Sequence, residues 1–280
     1  MTVRLCIPSD LTDAPVPWLV PDHEVEGGVC LVDEVDGHLV AAGLRRPART
    51  KATQDSAELW CTHGHGTQLM RDLASAGERP IVIRVNPSTP AATAVEAEGG
   101  RVIQAVPAAY FPSAHADVQA WAQEQLELSR TAGVQIDSGD GYALEDLLDM
   151  WMTPYLRMHE SWAPTGDTEA TRQAFAQRFA RDLDMRRTAV AVIDERPIAA
   201  VFTVGPFDGT LMPVLIQIDD RHPGQERAAA AAVAAMFIRA APIPVEFDGH
   251  ADEPIYMNIL QRIPQRSSGN LTPMNLIELG

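Results

Sequence analysis

The feature that most constrains this chain is a β-hairpin pattern that occurs twice, about 160 residues apart. The first copy reads GVCLVDEVDGHLVAAGLRRP from Gly28, and its two apolar runs flank Asp36 and Gly37. An Asp-Gly pair between apolar runs is a strong local signal for a tight hairpin. The second copy reads TAVAVIDERPIAAVFTVGPF, where polar residues 194–197 separate two runs rich in Val, Ala and Ile. A unit repeated at this distance predicts two related domains.

The segments that follow the two hairpins share one order of predicted elements: strand, glycine-containing loop, helix, strand, helix and strand. The first series reads AELWCT, TQLMRDLASAG, PIVIRVN, PAATAVEAEGG and RVIQAVPAAYF. The second reads LMPVLIQI, RAAAAAVAAMFIRAA, PIPVEF, EPIYMNILQRI and LTPMNLIEL. The loop glycines Gly64 and Gly224 hold equivalent places, 160 positions apart (224 − 64). Agreement of order and spacing indicates a duplication more strongly than either hairpin alone.

The region between the two series is predicted to be mostly helical. Residues 113–133 predict a linker helix that ends at Gly133, and a strand with two further helices precedes the second hairpin. Only about 27 residues, interrupted by four prolines, precede the first hairpin. We therefore predict a truncated N-terminal domain over residues 1–112, a linker over 113–133 and a C-terminal domain over 134–280.

Composition restricts the class of function. The chain has 280 residues, of which 46% are apolar, with a formal charge of −16 and a pI near 4.8. A chain with this apolar share can form hydrophobic cores. Its acidity disfavours partners with phosphate backbones, because proteins bind such backbones through Lys and Arg. Nucleic acid and anionic membranes are not expected partners, and a cationic small molecule suits the charge better. The acidity also serves solubility, whatever the ligand.

Other motifs are absent from the sequence. No segment approaches a membrane span or has a signal-peptide pattern, and the three cysteines show no C-x-x-C spacing, so we expect a soluble, cytoplasmic protein with reduced thiols. No G-x-S-x-G, G-x-x-x-x-G-K-[ST] or H-E-x-x-H motif is present, which leaves hydrolase, nucleotide-triphosphatase and zincin readings without support. His63 and His65 lack a third ligand nearby in sequence, so no metal is expected.

The order strand, two helices, hairpin, strand, loop, helix, strand, helix, strand resembles the GNAT acyltransferase superfamily, present twice in tandem as in mycothiol synthases. The likeness covers about residues 28–111 and 134–280. It implies an α/β (α+β) fold of two GNAT-like domains, each with a mixed, mostly antiparallel sheet flanked by helices. It also implies acetyl-CoA or another acyl-CoA as co-substrate, whose pyrophosphate is held by backbone N–H groups at a loop and the following helix N-terminus.

The family pattern at that loop is Gln or Arg, two variable residues, Gly, one variable residue, then Gly or Ala. The first copy here comprises Cys61, Thr62, His63, Gly64, His65 and Gly66, followed by Thr67. The second comprises Arg221, His222, Pro223, Gly224, Gln225 and Glu226. Pro223 has no N–H, and the Glu226 carboxylate would repel a pyrophosphate. The first loop is therefore the predicted coenzyme cradle, with Arg221 and Gly224 as a second position; Arg221 could instead pair with Asp219 or Asp220.

Candidate catalytic residues follow from the same resemblance. Neither half keeps the tyrosine with which the family protonates the departing thiolate, but Tyr256 lies one helical turn earlier and is a candidate, or else a core residue. Glu58 is a candidate general base on the strand before the first loop, or else an exposed strand carboxylate. The segment that lines the acceptor side in the family holds four candidate substrate-binding residues, or else a packed helix end: Tyr155, His159, Glu160 and Trp162.

The sequence thus predicts an acyltransferase that moves an acyl group from acyl-CoA to an amine or hydroxyl of a small polar or cationic acceptor, as a monomer or homodimer. Two alternatives remain open. One is a binding or scaffold protein in which both folds have lost catalysis. The other is a GNAT-fold enzyme that uses a carrier-protein or aminoacyl-tRNA donor, for which a tRNA would need a local basic track.

Overall fold

The computed structural model describes residues 2–12, 16–48, 50–264 and 273–280, which divide into two compact units. The first unit comprises Met1–Ala105, Ser161–Asp167 and Pro273–Gly280. The second comprises Val106–Glu160 and Thr168–Thr272. Each unit has a mostly antiparallel sheet with helices packed on it, which confirms the predicted fold class.

The first unit is built on a seven-stranded sheet. Its strands are β1 (Thr2–Leu5), β2 (Val29–Val35), β3 (His38–Pro47), β4 (Asp55–Cys61), β5 (Ile81–Val85), β6 (Arg101–Val106) and the last strand of the chain, β13 (Met274–Leu279). Its helices are α1 (Thr67–Ser75) and α2 (Pro90–Ala97). The order across the sheet is β1-β2-β3-β4-β5-β13-β6, and the buried faces of α1 and α2 pack in one core with the apolar side chains of these strands.

The predicted first hairpin is confirmed. Strands β2 and β3 pair up to Val35 and His38, and both turn residues have positive φ, 52° for Asp36 and 82° for Gly37. Such a two-residue turn matches the twist of the strands that it joins. The described residues before β2 form one strand and two short 3₁₀ helices, without an α-helix.

The second unit contains a six-stranded sheet with the order β7-β12-β11-β10-β9-β8. Its strands are β7 (Tyr110–Phe111), β8 (Gln135–Ser138), β9 (Ala189–Ile193), β10 (Arg196–Phe207), β11 (Thr210–Gln217) and β12 (Val245–Glu246). Its helices are α3 (Ala116–Thr131), α4 (Leu144–His159), α5 (Thr168–Asp182), α6 (Gln225–Ala240) and α7 (Pro254–Arg262). The second hairpin is confirmed with a shorter turn than predicted, since Arg196 already pairs with Ile193 across Asp194 and Glu195.

The sequence pattern predicts the wrong sheet for the last strand of the chain, β13. Strand β13 was expected to complete the second domain, but it pairs antiparallel with β5 of the first unit, with Ile277 opposite Ile83. RVIQAVPAAYF, expected as one strand, is divided at Pro107 into β6 and β7, and β7 pairs with β12 of the second unit. The packing explains the difference, because Ile277 and Leu279 are buried in the first-unit core.

The predicted linker helix is part of a domain. Helix α3 packs on α6, and its residues Val118, Trp121 and Ala122 lie in the core of the second unit. The Trp121 ring meets the Phe237 ring edge-on, with centroids 6.1 Å apart. An apolar face of this size needs a partner surface, which a free linker would not provide. Within the described part of the chain, no helix has the length and hydropathy required to cross a bilayer.

Candidate functional site

The loop between β4 and α1 is shaped by two glycines. Gly64 and Gly66 have φ values of +80° and +95°, a region that L side chains rarely adopt. The His65 N–H donates to the Thr62 carbonyl at 3.1 Å, which closes a tight turn. A Cβ atom at Gly66 would lie 2.8 Å from the Cys61 Sγ, whereas one at Gly64 would meet nothing within 4 Å. Position 66 therefore requires glycine for space, and position 64 only for its backbone conformation.

This loop leaves backbone donors available. The Thr62 N–H donates to the Val40 carbonyl at 2.8 Å, but the N–H groups of His63, Gly64 and Gly66 meet no acceptor within residues 2–12, 16–48, 50–264 and 273–280. Helix α1 begins directly after Gly66, and its first-turn N–H groups have no intrahelical acceptor. Donors that converge at a helix N-terminus form an anion site. The predicted residues 61–67 thus run from the last residue of β4 through this loop to the first residue of α1.

Strands β4 and β5 separate just before this loop. They run parallel and pair only from Asp55 opposite Ile81 to Ala57 opposite Ile83, although β4 continues to Cys61 and β5 to Val85. The residues of β4 beyond Ala57 border the gap. Glu58 is the first of them, and its side chain is exposed on the same face as Trp60. The predicted base therefore stands at the beginning of the opening.

The equivalent loop of the second unit uses its donors internally. The Gly224 N–H donates to His222 Nδ1 at 3.0 Å, and the Gln225 N–H donates to the His222 carbonyl at 3.0 Å. Two aspartates were predicted as partners of Arg221. Asp219 accepts a hydrogen bond from the backbone N–H of Arg221, and Asp220 pairs with Arg157. The Glu226 carboxylate lies in the first turn of α6, where it accepts a 2.7 Å hydrogen bond from Asn258. An anion would meet occupied donors and a negative charge here.

A separate cavity of about 170 Å³ lies within the second unit. Its aromatic wall consists of Trp151, Tyr155, Phe175, Phe179 and Phe202. The Trp151 centroid is 5.2 Å from that of Phe175 and 5.2 Å from that of Phe202. Burial raises the pKa of Tyr155 to about 12, so its phenol stays neutral. The predicted Tyr155 therefore faces a real cavity.

His159 continues the wall from the last turn of α4. Its Nδ1 lies 2.8 Å from the Tyr155 carbonyl, and since only an N–H can donate to a carbonyl, Nδ1 carries the proton. Its ring centroid is 4.1 Å from that of Tyr155 and 5.6 Å from that of His250. His159 is thus held in one orientation at the cavity lining.

The loop between β12 and α7 supplies titratable lining residues that the sequence did not reveal: Asp248, His250 and Glu253. Burial, with Asp252 and Asp248 nearby, raises the pKa of Glu253 to about 7. His250 Nδ1 is 3.5 Å from the Glu253 carboxylate. The available signal was DGHADEP, a polar run directly after the apolar strand PIPVEF. Chemistry-bearing side chains at the end of a strand are typical of binding sites.

The remaining predicted site residues lie elsewhere. Glu160 is exposed and does not line the cavity, while Trp162 belongs to the first unit, where the Lys51 ammonium lies 5.7 Å from its ring centroid. Tyr256 is 1% exposed in the core, with its ring centroid 6.3 Å from that of Phe247. A Cβ atom at the cavity-lining Gly249 would lie 2.6 Å from the Tyr256 ring, so this ring lies beneath the lining. The described residues contain no cluster of metal-ligating side chains.

Comparisons with solved structures agree with this architecture. A GCN5-related N-acetyltransferase from Sphaerobacter thermophilus is similar with a TM-score of 0.61 over 99% of this chain and 95% of its own, at 13% identity. A tandem GNAT protein from the clavulanic acid biosynthesis pathway has a TM-score of 0.55 over 90% and 82% of the two chains, at 14% identity. The chain has the tandem GNAT fold.

A third similar structure, a GNAT-family acetyltransferase from Colwellia psychrerythraea, has a TM-score of 0.55 over 99% and 98% of the two chains, at 10% identity. No family model matches the sequence, and no curated protein matches it. Identities this low concern the fold, and a fold hosts many functions. The activity of this chain must therefore be argued from its own residues.

Proposed function

We propose that this protein is an acyltransferase that moves an acetyl or related acyl group from acyl-CoA to the amine of a small polar or cationic acceptor, or to a hydroxyl in its place. The coenzyme is bound by the first unit. The observation that carries this proposal is the loop of residues 61–67, whose unused N–H groups lie directly before α1. Backbone donors at a helix N-terminus are suited to the pyrophosphate of the coenzyme.

The gap between β4 and β5 supports the proposal, because it gives the acyl-bearing arm of the coenzyme a place beside Glu58. The amine nitrogen attacks the thioester carbonyl, the carbon–sulfur bond breaks, and coenzyme A leaves as a thiolate that takes a proton from solvent. Glu58 accepts the proton that the amine loses. Unpaired strand N–H groups at the gap polarise the carbonyl, and positioning supplies the rest of the acceleration.

The formal charge of −16 supports a cationic acceptor, because a negative surface raises the local concentration of cations. No metal is part of this mechanism. The Glu58 carboxylate acts as the base, and the amine attacks the thioester directly. Both steps need only the side chains and backbone of the first unit.

The deciding experiment is a calorimetric titration with acetyl-CoA of the wild type, Gly64→Asp and Gly64→Asn. Position 64 has φ +80° and open space around it, and both Asp and Asn tolerate that conformation. The two variants therefore share shape and differ in charge. We expect one equivalent bound by the wild type, at least about tenfold weaker binding by Gly64→Asp, and only a small loss for Gly64→Asn.

Two further arms separate the alternatives. Glu58→Gln should keep coenzyme binding and lose acyl transfer to an amine panel, since only the base is removed. Arg221→Gln should change nothing; if it alone abolishes binding, the second unit holds the coenzyme instead. If the wild type binds no acyl-CoA, the proposal fails. Binding of an acylated carrier protein or of an aminoacyl-tRNA would then favour an enzyme with another donor over a scaffold protein.

A further inference from the structure

We propose that the cavity of the second unit is a separate binding site for a small organic ammonium compound that also carries an oxygen acceptor, and that it takes this ligand without coenzyme. The site does not rest on the proposed acyl transfer. It is defined by the aromatic wall together with Asp248, His250 and Glu253.

The aromatic wall provides the first half of the recognition. Its rings are in mutual contact, with the Tyr155 centroid 4.7 Å from that of Phe175 and the Phe179 centroid 5.5 Å from that of Phe202. The negative faces of aromatic rings attract cations, most strongly where water is excluded. A cation with an apolar body therefore fits this wall better than a strongly hydrated ion does.

The carboxyl groups provide the second half. Asp248 and Glu253 line the same cavity, together with the Arg178 guanidinium. Burial, together with Asp252 and Asp248, raises the pKa of Glu253, and the Arg157 guanidinium lowers it by less than these raise it. A bound ammonium group would supply further positive charge.

An unused donor indicates that the ligand carries an acceptor. Trp151 is 7% exposed, and its buried Nε1 meets no hydrogen-bond acceptor among the residues that the structure describes. Buried indole N–H groups normally have a partner. Because Trp151 lines the cavity, a ligand oxygen is well suited to accept this hydrogen bond.

The size of the cavity limits the ligand. Its volume is about 170 Å³, comparable to the engineered protein cavity of about 150 Å³ that holds benzene. The ligand should therefore have roughly six to ten heavy atoms. The loop at Gly224 in the same unit has occupied donors and Glu226, so this unit is poorly suited to the pyrophosphate of a coenzyme. Amine binding here is thus independent of acyl transfer.

The test is calorimetric titration of the full chain, without acyl-CoA, using choline and its neutral isostere 3,3-dimethylbutan-1-ol. Both probes have the same shape and a hydroxyl acceptor, and they differ only in charge. We expect choline to bind at least about tenfold more tightly than the alcohol. Equal affinities, or no choline binding up to about 10 mM, would overturn the assignment.

Matched variants locate the site. Glu253→Gln removes a carboxylate from the cavity, and Glu160→Gln removes one from the exposed end of α4 outside it. We expect choline affinity to fall about tenfold or more in Glu253→Gln at about pH 8 and to stay at the wild-type value in Glu160→Gln. Equal losses would indicate a general surface effect and would contradict the site. Trp151→Phe should also weaken choline binding, with the near-ultraviolet circular dichroism spectrum as its folding check.

The pH profile gives a readout that a merely structural role would not change. Choline binding favours the ionised Glu253, so affinity should rise from about pH 6 to about pH 8 in the wild type and rise less in Glu253→Gln. The other titratable or charged groups around it are Asp248, Asp252, His250, His159, Arg157 and Arg178. Since these remain in both proteins, an unchanged slope in Glu253→Gln would refute the role of this carboxyl group.

Discussion

Arg45 is the residue whose replacement tests the structure of the first unit most sharply. It lies on β3, is 3% exposed and makes five hydrogen bonds. Two go to the Asp55 carboxylate, at 3.1 and 2.8 Å. The other three go to the carbonyls of Leu73, Ala74 and Arg79, at 2.9, 2.8 and 2.7 Å. One guanidinium thus joins β3 and β4 to the C-terminal end of α1.

The expected loss for Arg45→Met follows from these contacts. Removing one partner of a buried ion pair costs about 3–5 kcal/mol of folding free energy, because the other charge stays buried. The Asp55 side chain is 13% exposed, so little water can replace the guanidinium. The carbonyls of Leu73, Ala74 and Arg79 also lose a donor, a further cost that this figure does not include. Arg45→Lys should lose less, since an ammonium supplies up to three donors.

The matched control is Arg101→Met. Arg101 also pairs with a carboxylate of the first unit, Glu278, at 2.9 Å, but its side chain is 75% exposed. An exposed pair contributes about 0–1 kcal/mol. Hydrogen exchange of peptides from β3, β4 and α1, followed by mass spectrometry, gives the free energy of opening for this unit alone. A loss below about 1 kcal/mol in Arg45→Met, or equal losses in both variants, would refute the reasoning.

Three further predictions concern titratable groups. Burial raises the pKa of Cys6 to about 12 and that of Cys61 to about 11, and it also raises the pKa of Cys30. An aromatic disulfide reagent should therefore modify no thiol in the native chain and three thiols after denaturation. Hydrogen bonds from Arg4 lower the pKa of Asp10, so the ionised Asp10 stabilises the fold at pH values above its ordinary pKa of 3.8. This stabilisation is lost as the pH falls through the pKa of Asp10 in the folded chain, so Asp10→Asn should make the free energy of unfolding depend less on pH in acid titrations followed by tryptophan fluorescence. The pKa of Glu253 rises from 4.5 to about 7, so its ionisation destabilises the second unit as pH increases through this window. Glu253→Gln should be more stable than the wild type by about 2–3 kcal/mol at about pH 8, and equal to it at about pH 4, in denaturant titrations.

Several features were predictable because they depend on neighbouring residues in sequence. The turn at Asp36 and Gly37 follows from residues that adopt positive φ, and the first loop follows from Gly64 and Gly66. The repeated order of elements then predicted two GNAT-like units, which the strand order and the similar structures confirm. The departure of the second loop was also visible, since Pro223 and Glu226 are poor neighbours for an anion in any fold.

The tertiary structure decided what depends on distant residues. An apolar strand such as β13 satisfies the edge of either sheet, and only the burial of Ile277 and Leu279 places it in the first unit. The residues of the aromatic wall lie about 50 to 100 positions before Glu253 in the sequence, so no local pattern could bring them together. Local sequence determined the turns, loops and element order through backbone preferences, while strand exchange and the cavity were decided by which apolar surfaces could bury one another.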